Sequence, residues 1–432
     1  MENEYGSYGN DKVYLRHLAD GMRARGIDSF LFTSDGPRDY CLQGGTLPDV
    51  FKTVNFAFDA KEHLAKLREY QPEGPLMVTE FWSGWFDHWG EQRHVSADGS
   101  DSIQRSVDAL NEILAAGASI NFYMFHGGTN FGFMNGANCD PEPYQADITS
   151  YDYACPISEC GDLNPRYEAY REILKKYADI PATFDFRPST KRSYGKVELS
   201  QSVSLFDALE SLSPPRKSVT PLPMEMYDQD YGFILYRTTV RGPMMAILKA
   251  RGLHDRAQVF LDGRFVDTLE RETEKEYAAL ELPAQSTLDL LVENMGRINF
   301  GASLLDRKGI TEGVTINEQY QFGWDVYPLP LNNLDKLTFS PLQNAEQTHP
   351  TFYRTTFPVD EPADTFLALP SWTKGVVWLN GFNLGRYWER GPQKTLYIPA
   401  PLLKRGQNEL IVFELHGTQT PVVEFRDAPE LG

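Results

Sequence analysis

From Lys12 to Ala178, short apolar runs alternate with helical stretches, and that alternation admits few folds. "KVYLRHLADGMRARG" carries apolar residues at helical spacing and stops at Gly26. "IDSFLFTSDG" reads as a buried strand entering a loop, and "FKTVNFAF", "PLMVTEFW" and "SINFYMFHGGTN" read as further strands. "AKEHLAKLREYQP", "SIQRSVDALNEILAAG" and "NPRYEAYREILKKYA" read as the intervening and closing helices. Strands alternating with helices predict a parallel sheet with crossover helices. The strands are expected to begin near Ile27, Thr53, Pro75 and Ser119, with "ENEYG" at Glu2–Gly6 as the tail of one more. That makes about five β/α units, against the eight of a closed (β/α)8 barrel. Each strand ends in a polar or aromatic cluster (Asn3-Glu4, Ser34-Asp35, Glu80, His126), and barrel active sites collect at such ends. Residues 1–185 are therefore expected to form the last five units of a TIM barrel, entered at the end of its fourth strand.

From about Ser189 the texture changes. Pro, Ser and Thr rise in "DFRPSTKRSYG" and "SLSPPRKSVTPLP", and short alternating strands with turn signals run to the C-terminus. This predicts all-β sandwiches or jelly rolls. An internal repeat points to two of them, over residues 186–340 and 341–432. "YRTT" at Tyr236–Thr239 returns at Tyr353–Thr356, "VFLDG" at Val259–Gly263 is answered by "VWLNG" at Val377–Gly381, and "LLVENMG" at Leu290–Gly296 by "LIVFELHG" at Leu410–Gly417. The DG and NG pairs suit tight hairpins, because Gly tolerates positive φ and Asp and Asn tolerate it better than most residues.

The net charge of −19 argues against nucleic acid or an anionic membrane surface as partner and suits a neutral substrate. A homo-oligomer is compatible with it. Aromatic residues make up 13% of the chain, enough to serve both β cores and sugar-stacking platforms. No apolar run reaches the roughly 18 residues of a membrane span. No signal peptide precedes Glu2, which favours a bacterial cytoplasm, although a longer N-terminus could carry one. Cys41, Cys139, Cys155 and Cys160 lack CxxC spacing, so they read as reduced core thiols rather than a zinc site. "GGTNFG" lacks both the Walker lysine and the Rossmann spacing, so no nucleotide cofactor is expected. His126 reads as a hydrogen-bonded packing residue rather than a ligand.

Glu4 and Glu80 are the strongest chemical candidates. Each ends an expected barrel strand, and Phe81, Trp82, Trp85, Phe86 and Trp89 follow Glu80 within nine residues. Paired carboxylates beside aromatic platforms are what glycoside hydrolysis needs: one acid protonates the leaving oxygen while the other attacks the anomeric carbon or activates water. Strand-end glutamates also commonly bind backbone amides or a nearby Arg, and spacing alone leaves both readings open.

Four motifs in order, "ENEYGSYG", "TEFWSGWFDHWG", "NFYMFHGGTNFGFMNGAN" and "TSYDYACPISECGD", resemble glycoside hydrolase family 35, the β-galactosidases, with the bacterial branch most similar around "GGTNFGFMNGAN". The resemblance extends through both β domains, the second of which is similar to the galactose-binding-like fold. It implies a metal-free and cofactor-free retaining exo-β-galactosidase acting on β-galactoside oligosaccharides or glycoconjugates. Glu4 would be the acid/base, Glu80 the nucleophile, and Asn3 a donor to the sugar 2-hydroxyl. Tyr123 and Tyr153 match positions that contact galactose or the nucleophile, and Trp85 a stacking wall. A nearby hydroxyl such as a tyrosine's would hold Glu80 ionised, while Glu2 would play a supporting part. Family members begin with three further β/α units, so activity is expected to be impaired if those are missing. An exo-β-glucosaminidase and a noncatalytic carbohydrate-binding protein are the alternatives. Trp372, Trp378 and Trp388 are expected in the core or at a domain interface rather than in a lectin site.

Overall fold

The computed structural model describes residues 1–100, 102–139, 143–181, 185–342 and 349–432. The chain forms two compact units. The first comprises Met1–Asp87, Gln92–Thr129 and Tyr151–Ser189; the second comprises His88–Glu91, Asn130–Ser150 and Thr190–Gly432.

In the first unit, β1 (Phe32–Asp35), β2 (Phe51–Phe56), β3 (Met77–Trp82) and β4 (Ser119–Tyr123) form a parallel sheet in chain order. Helices α1 (Lys12–Ala24), α2 (Asp39–Gly45), α3 (Ala60–Tyr70), α4 (Gln104–Ala115) and α5 (Pro165–Leu174) accompany it. Asn3 adds a single parallel bridge to Ser34, so the "ENEYG" stretch does continue the sheet beyond β1. Val54 and Phe56 of β2 and Val78 and Phe81 of β3 pack against Leu64 and Leu67 of α3, Val107, Leu110 and Ile113 of α4, and Tyr170 of α5. Strand side chains alternate between faces. Thr53 and Asn55, between those apolar residues, therefore turn to the opposite face.

Two local expectations differ from the structure. β1 begins at Phe32 rather than near Ile27, and Ile27 and Phe30 are exposed, because Asp28 and Ser29 interrupt the apolar run. α2 has no periodic signature, and its "GG" end disfavours helix on propensity. Tertiary packing overrides this: Cys41 and Leu42 are buried, and a Cβ on Gly45 would fall 1.8 Å from the Asp35 carboxylate.

The second unit bears out the repeat. Phe233–Arg241, Gln285–Glu293, Arg256–Leu261 and Arg264–Glu270 lie side by side in that order in one sheet. Thr351–Val359, Gly406–Glu414, Lys374–Leu379 and Phe382–Trp388 repeat the order in another. Tyr236, Val259 and Leu290 share one core, and Tyr353, Val377 and Leu410 share the corresponding second core. The other faces of the two sheets meet in a third cluster, where Phe233 and Phe260 join Phe352, Trp378 and Phe413. The hairpin tips take the backbone that DG and NG favour, with φ of 47° and 75° at Asp262-Gly263 and 51° and 82° at Asn380-Gly381. A helix at Leu205–Leu212, capped by Ser204, interrupts the expected all-β run and buries Leu205 and Leu209 in the third cluster. Trp372, Trp378 and Trp388 are all buried, as core residues.

The described residues of segment 130–150 pack within the second unit. Asn135 Nδ2 donates to Asp147 O and Met295 O at 3.0 and 2.7 Å, and its Oδ1 accepts from Arg386. Tyr144 donates to Gly296 O, and Thr149 to Arg386 O. Beside them Glu293 is clamped between Lys374 Nζ at 2.7 Å and Arg386 Nε at 2.9 Å, all three buried. Burial pulls Lys374 down to about 8, and against the cost of burial the two cations hold Glu293 below its ordinary value.

Candidate active site

The site is assembled in the first unit at the C-terminal ends of its parallel strands. The chain arrives through Asn3 beside β1, and the Glu4 amide donates to Ser34 O at 2.8 Å. Glu4 itself holds a left-handed backbone, φ 53°, a conformation that costs about 1 kcal/mol or more outside glycine. A buried acid secures the turn that follows: Asp35 Oδ1 accepts the Gly6 amide at 2.9 Å. Burial pushes Asp35 up to about 6, against the Gly6 hydrogen bond and the positive charges of Lys12 and the N-terminus.

From this turn the Glu4 side chain reaches β2, where Asn55 Nδ2 donates to its Oε1 at 3.0 Å. Asn55 is wholly buried and sits on a layer of hydroxyls. Ser34 Oγ and Thr79 Oγ1 lie 2.9 and 3.0 Å from its Oδ1, and Thr53 Oγ1 bonds both Thr79 Oγ1 and Thr33 O. Burial raises the Glu4 pKa, the Asn55 hydrogen bond lowers it, and the charges of Glu80 and Asp35 raise it again, leaving the carboxyl above its ordinary value.

Glu80 is the register neighbour of Asn55 on β3. Its Oε2 accepts the Trp82 indole N–H at 3.0 Å, and the Asn3 side chain supplies a second donor. Burial outweighs both donors, so the Glu80 pKa is raised. This corrects the expectation of a carboxylate held down by a tyrosine. The donors acting on it are an indole and an amide, and the desolvation of a strand-end carboxylate among aromatic rings is larger than their combined effect.

An aromatic wall adjoins the acids. Trp85 lies edge-on to Trp82 at 5.7 Å, stacks on Phe86 at 4.9 Å and approaches Tyr153 at 6.3 Å between ring centroids. Tyr123, ending β4, meets Tyr153 edge-on at 5.8 Å, and its hydroxyl lies 3.2 Å from that of Tyr151. Tyr153 is buried with φ 63°, and burial, Tyr123 and Glu80 push its pKa well up. The wall closes because residue 84 is glycine: a Cβ there would fall 1.7 Å from Tyr153 O.

The structure thus gathers Asn3, Glu4, Glu80, Trp85, Tyr123 and Tyr153 at one end of one sheet. Glu2 stands aside, accepting the Tyr14 hydroxyl. His126 is exposed and forms a backbone bridge with Ile157, contrary to the packing role expected of it. The sequence reading missed Asn55 and Trp82 as partners of the acids. For Asn55 the available signal was an amide inside an otherwise strand-forming run, where a parallel sheet favours apolar residues. No group of acids, histidines or cysteines able to hold a metal occurs among the described residues, and none of their helices is long and apolar enough to cross a membrane.

The family model for glycosyl hydrolases family 35 matches residues 1–177. The models for the first all-beta domain and the galactose-binding domain of beta-galactosidase match residues 221–330 and 350–408. The chain is 41% identical to a beta-galactosidase of Bos taurus, over 99% of this chain and 70% of that one. It is 40% identical to a beta-galactosidase of Homo sapiens, over 100% and 68%, and 40% identical to one of Xanthomonas manihotis, over 92% and 66%.

Proposed function

Because the chain belongs to glycosyl hydrolase family 35, we propose that it is a retaining exo-β-galactosidase releasing terminal non-reducing β-D-galactose from oligosaccharides or glycoconjugates, with Glu4 as acid/base and Glu80 as nucleophile. One observation supports the residue assignment: Glu4, 76 positions from Glu80 in sequence, accepts the side chain of Asn55, and Asn55 is the register neighbour of Glu80 on the adjacent strand. The parallel strands, helix-covered on one face, support reading the first unit as part of a (β/α)8 barrel in which the acids occupy the catalytic end. Residues 1–185, 186–340 and 341–432 are the corresponding domains in this reading.

In the first step Glu80 attacks the anomeric carbon while Glu4 gives its proton to the leaving oxygen. The raised pKa of Glu4 favours the protonated form that this step needs. Glycosylation then removes the Glu80 charge, the Glu4 pKa falls, and Glu4 accepts the proton of the incoming water. Asn3, whose side chain donates to Glu80, is in this reading the donor to the sugar 2-hydroxyl. Trp85, Tyr123 and Tyr153 provide the faces and hydroxyls that grip the ring.

Hydrolysis of a chromogenic aryl β-galactoside tests this, beside the matching β-glucosaminide. The galactoside is expected to be cleaved with retention, and Glu4→Gln and Glu80→Gln to lose about 10²–10⁴-fold in kcat. Preference for the glucosaminide would reassign the substrate. Sugar binding with no turnover on either substrate would favour a noncatalytic protein.

A further inference from the structure

Given the acid/base role proposed for Glu4, we infer that Asn55 is its positioning residue, pinning one carboxyl oxygen so that the other carries the catalytic proton. The Asn55 amide accepts at Oδ1 from the hydroxyl layer of Ser34 and Thr79, which leaves its Nδ2 to face Glu4. Flipping the amide would set its oxygen against a carboxylate oxygen. With Oε1 occupied by an N–H donor, the proton of Glu4 belongs on Oε2, the oxygen left to meet a leaving group. The strained backbone at Glu4 makes such a tether necessary, since neither propensity nor a regular strand holds that side chain in place.

Asn55 is well suited to the task. It is neutral, so it does not compete for the proton, and it is fully buried, so its own hydrogen bonds are not exchanged with water. It also opposes the other influences on Glu4. Glu80 and Asp35 press the carboxyl toward its protonated form, Lys12 and the N-terminal amine act on Asp35, and Tyr8 feels the charge of Glu4 in turn. The Asn55 amide favours the ionised form that the second half-reaction needs as a base.

Asn55→Leu keeps the approximate volume and leaves the hydroxyls able to bond one another. A galactoside with a strongly acidic phenol departs without proton assistance, whereas an alkyl galactoside does not. The variant is expected to lose 10- to 100-fold in kcat/KM on the alkyl substrate and about 3-fold or less on the activated one, because a misplaced acid costs only where a proton must be delivered. Equal losses on both substrates would mark Asn55 as merely structural and overturn the inference. A second readout needs no turnover: the ¹³C carboxyl resonance of Glu4, assigned with Glu4→Gln, should titrate about one pH unit higher in Asn55→Leu and higher still in Asn55→Asp. An unmoved midpoint overturns the inference. Should the parent protein hydrolyse no glycoside, the proposed function fails, while this titration still decides the role of Asn55.

Discussion

Glu80 has to be ionised when it attacks, and Glu4 has to be protonated when the bond breaks, so kcat/KM should trace a bell in pH. Both carboxyls are raised above the ordinary value of 4.5, so both limbs are expected above that pH, with Glu80 setting the acid limb and Glu4 the basic one. A pH–rate profile in which Glu4→Gln loses the basic limb checks the assignment. Asp35 makes a different prediction. Its folded pKa, about 6, exceeds its ordinary 3.8, so the folded state binds the extra proton. The stability this confers is present below the ordinary value and is lost as pH rises toward 6. Asp35→Asn keeps an acceptor for Gly6 and removes that slope, with a gain of up to about 3 kcal/mol at pH 7 over the parent, read by urea unfolding at pH 4 and 7. At this scale the two acids and the aromatic wall were legible, since each lies in a distinctive motif. Asn55 was not, because a lone Asn in "FKTVNF" has no partner visible along the chain; its partners are 51, 21 and 24 residues away.

Between residues and whole units, legibility followed the reach of the forces. Hairpin tips at Asp262-Gly263 and Asn380-Gly381 were readable because their conformation is local, and the strand order of the two repeats followed from matched apolar patterns. α2 and the Leu205–Leu212 helix were missed because packing decides them: close approach to Asp35 demands Gly45, and burial of Leu205 and Leu209 between two β layers holds the second. The Glu293 clamp was equally invisible, joining residues 81 and 93 positions apart. Removing its acid leaves two buried cations uncompensated. Glu293→Gln is therefore expected to cost about 3–5 kcal/mol, measured as a lower denaturation midpoint of the second unit's transition. A change below 1 kcal/mol would show the clamp to be solvated.

For the molecule as a whole, the unit boundaries do not follow the sequence. Segments 88–91 and 130–150 are flanked by first-unit residues yet belong to the second. A fragment ending at residue 189 keeps both segments but lacks Met295, Gly296 and Arg386, to which Asn135, Tyr144 and Thr149 bond. Such a fragment is expected to bind a hydrophobic dye and to be cut by protease within 130–139 and 143–150, whereas the intact chain resists at those bonds. Sequence texture showed where α/β gives way to all-β but gave no hint of this exchange, because "GGTNFGFMNGAN" carries no local mark of what it will bury.

Thr149 must wait for Arg386, made 237 residues later, before its hydroxyl finds an acceptor. At a synthesis rate of about 5–20 residues per second, that delay is roughly 10–50 s. For the first part of it, until Met295 and Gly296 are made, the nascent chain carries Asn135 and Tyr144 without those carbonyls to bond. Translation speed and holdase supply, as much as temperature, should set the yield of correctly assembled polypeptide in a producing cell.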